Sequence, residues 1–465
     1  MNVFLETERL ILREMTEADL PDLCEILQDP RVMTAYEGPF PMEEVRAWLS
    51  RQQERYARDG FGLCAVIRKR DGYMVGQAGL TLQETPRGRK VEIGYLLKHG
   101  CWHHGYATEA AAGAMRYAFD VLGVQCVCSI IRDTNEASQA VARRNGLVPA
   151  FTFTKHYRGV DMPHIVFERR RDPRAPFKVL PGNAWDAAFH HMDALADGVF
   201  SVGGACVLKS FACPQDAKAF AAASQAFRAA GLPAVPILLT RAGEPLYVAP
   251  DGAAYALYTR LPGAPLCGFF APDGKDKLRL LGATSARIHT ALKTCCARGF
   301  RVCDAEGEIR RFSRLPELDD RVASLMDGLS ALYAKLPRQV IHRDLHPGNV
   351  LFEGGRFSGL IDNDHAHVNA RLFDICYMLL AVLAHEGGEA PDLPAWCSLF
   401  RAYLCGYETV SPLSGDERAA LPGCCLYVEL CFLAYFDEIG DKEGARVTLR
   451  LIDMLLDAQE ALARL

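Results

Sequence analysis

The chain is 465 residues long, more than one ordinary domain, which predicts two or three compact units. An apolar fraction of 50% and a charged fraction of 23% are typical of a globular protein with hydrophobic cores. The net charge of −5 disfavours a nucleic-acid partner. We expect no membrane span, because no uninterrupted apolar run reaches about 20 residues, and no signal peptide, because the start carries acids among its apolar residues.

Seventeen cysteines are scattered along the chain and never form a doubled CxxC motif. Their spacing disfavours a zinc site, and their odd number in a large chain disfavours a disulfide framework. We therefore expect most of them to be small buried hydrophobic residues in a reducing cytoplasm.

The first 172 residues alternate strand-like and helical segments, each marked by its own hydrophobic period. The pattern predicts, in chain order, two strands within 60–83 joined at Asp71-Gly72, a strand at 89–98, a helix at 108–123, a strand at 124–132 and a helix at 135–146. We expect an α+β domain with a mostly antiparallel sheet.

A loop of small residues joins the strand at 89–98 to the helix behind it. Gly105 and Ala107 let backbone N–H groups approach a ligand, and the helix start adds a partial positive charge. Together these features predict an anion site suited to a pyrophosphate. A plain helix start capped by Thr108 is the alternative.

Residues 3–170 resemble the GNAT acetyltransferases, especially the branch that acetylates protein N-termini such as that of ribosomal-protein alanine. The resemblance rests on the segments ETERLILREMTEADL, EIGYLL, WHHGYATEA and DTNEASQAVARRNGLV. It implies a GNAT fold with acetyl-CoA as cosubstrate. The cofactor-binding residues that it implies are the backbone of Trp102, His103, His104, Gly105, Tyr106, Ala107 and Thr108 at the pyrophosphate, and Asn135 and Ser138 along the pantetheine arm.

Acetyl transfer needs a base that takes a proton from the amine and an acid that reprotonates the thiolate. Glu92, on the strand that leads into the loop, is the candidate base, directly or through a water; the alternative is an outward-facing strand carboxylate. Tyr157 is the candidate acid. His103 and His104 are adjacent in a loop, which fits loop backbone better than a metal site.

A composition break at 168–182 separates this domain from the rest. A charged run precedes three prolines there, which is typical of an exposed interdomain linker. We predict a first domain at 1–172, a linker at 173–180 and a second domain at 181–465.

The second domain has a β-rich lobe at about 181–262 and a mostly helical lobe at about 263–465. The first lobe includes a glycine-rich hairpin at 198–210 and then a helix at 216–231. A small β-rich lobe before a large helical lobe is the layout of kinase-like folds.

The segment VIHRDLHPGNVLF, at 340–352, has the spacing of a phosphoryl-transfer loop. Asp344 precedes Asn349 by five residues, as in the kinase catalytic loop, and Asp362 follows Asp344 by eighteen. A hairpin of that length returns Asp362 beside Asn349, so both side chains can face one pair of metal ions. The three residues predict a magnesium-nucleotide site.

Residues 181–465 resemble the aminoglycoside-phosphotransferase and choline-kinase-like group. The resemblance implies a bilobal protein-kinase-like fold, Mg²⁺, and ATP or GTP as phosphoryl donor. It implies that Asp344 is the catalytic base and that Asp374 braces its loop. The metal-binding residues that it implies are Asn349, Asp362 and Asp364.

The resemblance also implies nucleotide contacts in the β-rich lobe. Lys209 stands where the group has the lysine that pairs the nucleotide phosphates, and Gly203 and Gly204 would cover those phosphates. Two positions depart from the pattern. Arg343 replaces the usual glycine, and the helix glutamate that normally pairs with the lysine has no match, since 217–231 contains no acid.

We hypothesise a bifunctional enzyme, an N-acetyltransferase fused to an O-phosphotransferase that acts on a small hydroxyl compound. One hypothesis is modification of aminoglycoside antibiotics, and hence resistance; Glu429, Asp437 and Glu438 would then meet drug amino groups, unless they form a solvated helix face. Alternatives are a housekeeping acetyltransferase of protein N-termini fused to a small-metabolite kinase, or a catalytically silent kinase-like binding module.

Overall fold

The computed structural model describes residues 2–185, 191–211, 213–312, 320–388 and 392–465. By its internal contacts the chain divides into two units. The first contains Met1–Cys213 and Leu239–Leu257, and the second contains Pro214–Leu238 and Tyr258–Leu465.

Residues 3–170 form a mixed eight-stranded sheet with helices packed on it. Its elements are, in chain order, β1 (Val3–Glu6), β2 (Leu10–Arg13), α1 (Leu20–Leu27), α2 (Met42–Asp59), β3 (Leu63–Arg68), β4 (Met74–Thr85), β5 (Gly88–Leu97), α3 (Tyr106–Asp120), β6 (Cys126–Arg132), α4 (Glu136–Arg144), β7 (Val148–Tyr157) and β8 (Val160–Arg170). The strand order is β1-β2-β3-β4-β5-β6-β8-β7, and only the β5–β6 pair is parallel. The predicted mostly antiparallel α+β domain is confirmed.

Local turn chemistry explains where these elements begin and end. The hairpin predicted at Asp71-Gly72 joins β3 to β4, and Gly72 adopts the left-handed φ of 70° that favours glycine. Helix α3 begins at Tyr106 after left-handed Gly105, whose φ is 79°. The alternative in which Thr108 caps the helix is therefore wrong.

Strands β5 and β6 separate partway along their length. They pair at Val91–Val127 and Glu92–Cys128, and among the described residues the ladder continues no further. Beyond these pairs, a side-chain hydrogen bond connects the two strands, from Ser129 Oγ to the carbonyl oxygen of Ile93 at 3.0 Å. The sheet therefore opens between the two strands.

A second sheet completes the first unit. Its strands are β9 (Met192–Ala196), β10 (Val199–Val202), β11 (Cys206–Phe211), β12 (Tyr247–Val248) and β13 (Ala254–Thr259), in the order β12-β13-β11-β10-β9. Phe200, Leu208 and Tyr255 form its core together with Phe177 and Leu180, which are each 4% exposed. The linker predicted at 173–180 is thus partly buried, because its two large apolar side chains fill this core.

Hydrogen bonds join the turn before β6 to this second sheet. The Asp251 carboxylate accepts the backbone N–H groups of Gln125 and Cys126, at 2.6 and 3.2 Å. The Tyr247 hydroxyl donates to the carbonyl oxygen of Leu122 at 2.9 Å. The first unit therefore runs across the boundary predicted at 172–181 and includes strands of the β-rich lobe.

We expect Asp251→Ala to lower the free energy of unfolding of the first unit by about 1–3 kcal/mol, because two partly buried N–H groups lose their acceptor. Urea unfolding followed by circular dichroism measures the change. The exposed Asp193 of β9 supplies a matched control, Asp193→Ala, expected within about 0.5 kcal/mol of the wild type. Equal effects of the two substitutions would contradict the prediction.

The second unit is mostly helical. Its elements are α5 (Pro214–Ala229), β14 (Ala264–Pro265), α6 (Gly274–Leu292), β15 (Arg301–Val302), α7 (Ala305–Phe312), α8 (Asp320–Tyr333), β16 (Arg338–Ile341), β17 (Val350–Glu353), β18 (Arg356–Leu360), β19 (His367–Ala370), α9 (Leu372–Glu386), α10 (Leu393–Glu408), α11 (Gly415–Ile439), α12 (Lys442–Asp457) and α13 (Gln459–Ala463). Two small sheets, β14-β17-β18 and β15-β19-β16, are set among these helices. This is the composition predicted for the helical lobe.

Helix α11 is long and apolar enough to cross a membrane by length and composition. Its middle is packed inside the second unit, where Leu421, Cys424, Leu426 and Val428 are at most 1% exposed. A core helix passes the same test, and we interpret α11 as one.

All seventeen cysteines are free thiols, and nine of them are buried. Burial raises the pKa of Cys126 to about 11 and keeps its thiol protonated at neutral pH. These side chains serve mainly as small apolar residues, as predicted.

Candidate functional sites

The opening between β5 and β6 forms a cleft of about 750 Å³. Four residues predicted for acetyl transfer line it: Glu92 of β5, Asn135 and Ser138 at the start of α4, and Tyr157 at the end of β7. They come from distant parts of the sequence, and the fold brings them to one cavity.

Glu92 lies partly buried in this cleft. It is the cross-strand neighbour of Thr81, whose hydroxyl donates to Glu92 Oε2 at 3.0 Å. Burial raises the pKa of Glu92, and the cations Lys155 and Arg55 offset part of that rise. A carboxylate with a raised pKa in a cleft is suited to proton abstraction, which an outward-facing strand carboxylate is not.

Tyr95 is a cleft residue that the sequence did not single out. Its hydroxyl donates to the Ser138 carbonyl oxygen at 2.9 Å and lies 3.1 Å from Ser138 Oγ. Burial raises the pKa of Tyr95 to about 12, so the hydroxyl keeps its proton. Tyr95 is therefore a second candidate for the acid, beside Tyr157, which is 37% exposed.

Asn135 and Ser138 also have a structural role. Asn135 caps α4, because its Oδ1 accepts the backbone N–H of Ser138 at 3.1 Å. Both side chains nevertheless border the cleft. Their contact with a pantetheine arm stays a prediction.

The predicted pyrophosphate loop, residues 102–108, leads directly into the fifteen-residue helix α3. His103, His104 and Gly105 are exposed, whereas Tyr106 is 5% exposed. His103 and Gly105 both have left-handed backbone, with φ of 61° and 79°. An exposed turn at a helix N-terminus is a suitable place for an anion.

Arg9 holds this loop in place and was not identified from the sequence. Its Nη1 donates to the His104 carbonyl oxygen at 3.1 Å, and its Nε lies 2.6 Å from Glu109 Oε2 in the first turn of α3. Its guanidinium stacks 4.9 Å from the centre of the Tyr106 ring. Arg9 therefore fixes the loop backbone, and its charge is balanced by Glu109.

We expect Glu92→Gln to lower kcat for acetyl transfer by about 100-fold or more, the usual contribution of a positioned base. The base acts when ionised, so wild-type kcat should rise with pH through a pKa above the ordinary value of Glu. That rise should vanish in the variant. Steady-state CoA release between pH 5 and 9 measures both.

The exposed Glu84 of β4 supplies the control for this prediction, since it is paired with Arg89 at 3.0 Å. Glu84→Gln should keep the wild-type rate and pH profile. An unchanged profile in Glu92→Gln would show that another group takes the proton.

Asp344, in the loop between β16 and β17, is held by two side chains. Asn349 Nδ2 donates to Asp344 Oδ2 and to the Asp344 carbonyl oxygen, both at 2.9 Å. The Tyr377 hydroxyl donates to the other carboxylate oxygen at 3.0 Å. The Asp344 side chain remains 30% exposed, so a fixed carboxylate is accessible to a substrate hydroxyl.

Asp374 braces this loop from inside the core. It is completely buried, and its carboxylate accepts the backbone N–H groups of His342 and Arg343 at 2.8 and 2.9 Å. His289 Nε2 lies 3.0 Å from the same carboxylate. Tyr377, one helical turn beyond Asp374 on α9, could have been found from that spacing.

Arg343 occupies a backbone position that favours glycine. Its φ is 67°, in the left-handed region, which explains why the resembled group usually has glycine there. Its side chain compensates with Nη1 2.9 Å from Cys303 Sγ and its guanidinium 4.5 Å from the centre of the Phe373 ring. His342 also holds the loop, with Nε2 3.1 Å from the Ile361 carbonyl oxygen.

The β17–β18 hairpin brings Asn349 and Asp362 to the same end. Val350 pairs with Leu360, and the Ile361 N–H donates to the Asn349 carbonyl oxygen at 3.0 Å. Asp362 follows directly, with a left-handed φ of 58°. The return predicted from the eighteen-residue spacing is therefore formed.

The donor chemistry of this pair fits Mg²⁺. Asn349 uses Nδ2 to hold Asp344, which leaves Oδ1 to coordinate, and Asp362 supplies carboxylate oxygens. Asp364 lies in the short turn that follows, Asn363–His365. No group of three His, Cys, Asp or Glu side chains that could hold a metal ion occurs in the described part of the chain. A magnesium site of this kind needs few protein ligands because substrate phosphates complete it.

Lys209 and the two glycines lie in the β10–β11 hairpin of the first unit. Lys209 is 7% exposed on β11, in register with Val199. Gly203 and Gly204 form the turn, with φ of 57° and 73° and open space around each Cα. In the second unit, Asp216 of α5 is paired with Arg301 at 2.8 Å.

The acids near the carboxyl end have different surroundings. Asp437 and Glu438 are exposed, as a solvated helix face requires. Glu429 is 4% exposed, and burial raises its pKa to about 8. The solvated-face interpretation is therefore wrong for Glu429.

Two family models match the chain, one in each predicted domain. Residues 9–148 match the acetyltransferase (GNAT) domain, and residues 194–413 match the phosphotransferase enzyme family, APH. The matched segments follow one another without overlap.

Two curated proteins and one solved structure illustrate the similarities. The chain is 32% identical over 167 residues to the uncharacterized protein YkkB of Bacillus subtilis (strain 168), covering 36% of this chain and 95% of YkkB. It is 35% identical over 190 residues to the homoserine kinase of Rhizobium etli (strain CIAT 652), covering 38% of this chain but only 57% of that kinase. An aminoglycoside phosphotransferase from Alicyclobacillus acidocaldarius is 16% identical, with 63% of this chain and 98% of that chain covered at a TM-score of 0.46.

Proposed function

The chain belongs to the GNAT acetyltransferases through its first domain and to the APH phosphotransferases through its second, and from this premise we propose that it transfers two different groups to small molecules. The first domain would transfer acetyl from acetyl-CoA to an amine. The second would transfer phosphoryl from a nucleoside triphosphate to a hydroxyl. The observation that carries the proposal is the fixed Asp344 carboxylate beside Asn349 in one domain and the partly buried Glu92 carboxylate in a cleft of the other.

In the acetyl-transfer step, the amine nitrogen attacks the thioester carbonyl carbon. A C–N bond forms and the C–S bond breaks as the intermediate collapses. The amine proton goes to Glu92, directly or through a water, and the CoA thiolate takes a proton from Tyr157 or Tyr95. The backbone of the loop before α3 would hold the cofactor's diphosphate.

In the phosphoryl-transfer step, the substrate hydroxyl oxygen attacks the γ-phosphorus of the nucleotide. The new O–P bond forms, the bond to the β–γ bridging oxygen breaks, and the nucleoside diphosphate leaves. Asp344 orients the hydroxyl and takes its proton, while Asn349 and Asp362 would hold Mg²⁺. Bound Mg²⁺ would neutralise charge on the phosphates.

For the hydroxyl acceptor we propose a small amino alcohol or hydroxy amino acid. The curated relatives of this part of the chain include homoserine kinases, among them the Rhizobium etli protein at 35% identity. Homoserine carries one primary hydroxyl, one amine and one carboxylate. An aminoglycoside is the competing acceptor. Of the three acids predicted to meet its amino groups, Glu429 is buried, and Asp437 and Glu438 are exposed.

The test supplies one cosubstrate at a time to the purified chain. Homoserine, ethanolamine, an aminoglycoside and a short peptide are each incubated with acetyl-CoA alone or with Mg²⁺ and ATP or GTP alone, and products are identified by mass spectrometry. The proposal predicts phosphorylated homoserine or ethanolamine with nucleotide, and an acetylated amine with acetyl-CoA. Phosphorylation of the aminoglycoside alone would overturn the choice of acceptor.

The catalytically silent alternative has one observation in its favour. The one acidic residue of helix α5, Asp216, stands in the first turn and not within the helix, where the resembled group has its glutamate, and it is paired with Arg301. Nucleotide that raises the melting temperature with Mg²⁺ but is never consumed would favour this alternative. Turnover with any acceptor excludes it.

A further inference from the structure

The acetyl-transfer cleft carries more positive than negative side chains. Its lining includes Arg51, Arg55, Arg132 and Lys155 as cations, against Glu44 and Glu92 as acids. Such an imbalance in a concave site concentrates ligands of the opposite charge.

Ion pairs with residues at the rim account for only part of this charge. Arg132 is paired with Glu37, and Glu44 is paired with Arg158. Within the described ranges no carboxylate forms an ion pair with Arg51, Arg55 or Lys155. Of these cations, Arg51 is exposed and stacks 5.6 Å from the centre of the Trp48 ring, whereas Arg55 and Lys155 both act on the Glu92 carboxylate.

Arg55 is the most informative of the three. Its side chain is partly buried, and among the described residues its one hydrogen bond goes from Nη1 to the amide oxygen of Gln52, at 3.2 Å. A partly buried guanidinium is costly unless an anion pairs with it, and burial lowers the pKa of Arg55 accordingly. The guanidinium fork is suited to bidentate binding of a carboxylate or a phosphate.

Arg55 and Lys155 also lie within electrostatic reach of Glu92, since both lower its pKa. A ligand whose amine is at Glu92 therefore has these two cations nearby for a second group. A polycation in the same place would meet the same two cations.

We propose that the amine acceptor of the acetyltransferase domain is a small molecule that also carries an anionic group, a carboxylate or a phosphate monoester, bound by Arg55 with Lys155. This inference rests on the proposed acetyl transfer and names its substrate class. It excludes aminoglycosides as acetyl acceptors. It also makes the phosphate ester of an amino alcohol, the class of product proposed for the second domain, a chemically suitable acceptor for the first.

Calorimetric titration of the CoA-saturated full chain tests the inference with four amines. They are β-alanine for the carboxylate, O-phosphoethanolamine for the phosphate, ethanolamine as the neutral amine, and 1,3-diaminopropane as the dication. We expect at least one of the two anionic amines to bind about tenfold or more tightly than ethanolamine, the value of one charge-assisted contact. Which of the two binds identifies the anion.

Three variants locate the contact. Arg55→Gln should remove the preference for the anionic amine, and Arg55→Lys should restore part of it. Arg58 is exposed on the same helix and paired with Asp59, so Arg58→Gln should retain the wild-type preference. Loss of the preference in Arg58→Gln as well would overturn the assignment to Arg55.

Two further results decide against the inference. Ethanolamine or the diamine binding as tightly as both anionic amines would overturn it, as would the lack of saturable binding by either anionic amine. An Arg55 that only tunes Glu92 would shift the pH profile of acetylation equally for all amines without changing their order. Release of CoA is assayed separately: preferential binding without CoA release would support the anion contact at Arg55 but overturn the proposed acetyl transfer.

Discussion

Asp344→Asn should abolish phosphoryl transfer, with kcat lowered by about 1,000-fold or more, and leave acetyl transfer at the wild-type rate. The amide keeps the size of the carboxylate and can accept the Tyr377 hydrogen bond, but it cannot take the proton of the substrate hydroxyl. Nucleotide consumption and CoA release, measured on the same preparation, check both parts.

The melting temperature separates this effect from misfolding. Asp344 is partly exposed, so Asp344→Asn should melt within a few degrees of the wild type. Asp327→Asn, at an exposed position of α8, is the matched control and should keep both activities. Substantial phosphoryl transfer by Asp344→Asn would remove this residue from the mechanism.

Asp374→Ala should destabilise the second unit by about 3 kcal/mol or more, because its buried carboxylate bonds two backbone N–H groups and a histidine. Phosphoryl transfer should be lost as well. The N–H groups of His342 and Arg343 fix the loop that carries Asp344, and the left-handed backbone at Arg343 needs such a partner. Urea unfolding followed by circular dichroism gives the change in free energy.

Asp374→Asn tests the same argument more gently. Its single amide oxygen can replace only one of the two carboxylate acceptors, so its loss of stability should be intermediate. Asp453, exposed on α12, provides the surface control Asp453→Ala, expected to have little effect. If Asp374→Ala unfolds like that control, the loop is braced by something else.

Local sequence patterns predicted those features of the two sites that depend on the spacing of nearby residues. Asn349 follows Asp344 by five positions through one turn, and Asp362 follows Asp344 by eighteen through one hairpin, and the geometry of both is largely local. The position of Gly105 before a helix was likewise visible in the sequence, although the helix starts two residues earlier than predicted because Gly105, not Thr108, caps it.

Contacts between distant segments were not visible in the sequence. Tyr95 and Glu92 are three positions apart on one strand, and strand alternation alone puts them on opposite faces of a sheet. Both border the cleft because β5 and β6 separate there, and that separation is a property of the whole sheet.

The predicted linker illustrates the same limit. Its prolines and charges are typical of an exposed connection, yet Phe177 and Leu180 are buried in the core of the second sheet. Two large apolar side chains within a charged segment do not by themselves predict that the segment is buried. Their partners Phe200 and Tyr255 come from strands much later in the chain.

The central claim is that one chain contains two chemically independent group-transfer sites. Its most direct test is a comparison of wild type, Glu92→Gln, Asp344→Asn and the double variant, each assayed for CoA release and nucleoside diphosphate release with homoserine and O-phosphoethanolamine as acceptors. The account predicts that each single variant loses one activity and keeps the other, and that the double variant loses both. A wild-type chain with neither activity, or a single substitution at either carboxylate that removes both activities from a folded protein, would contradict it.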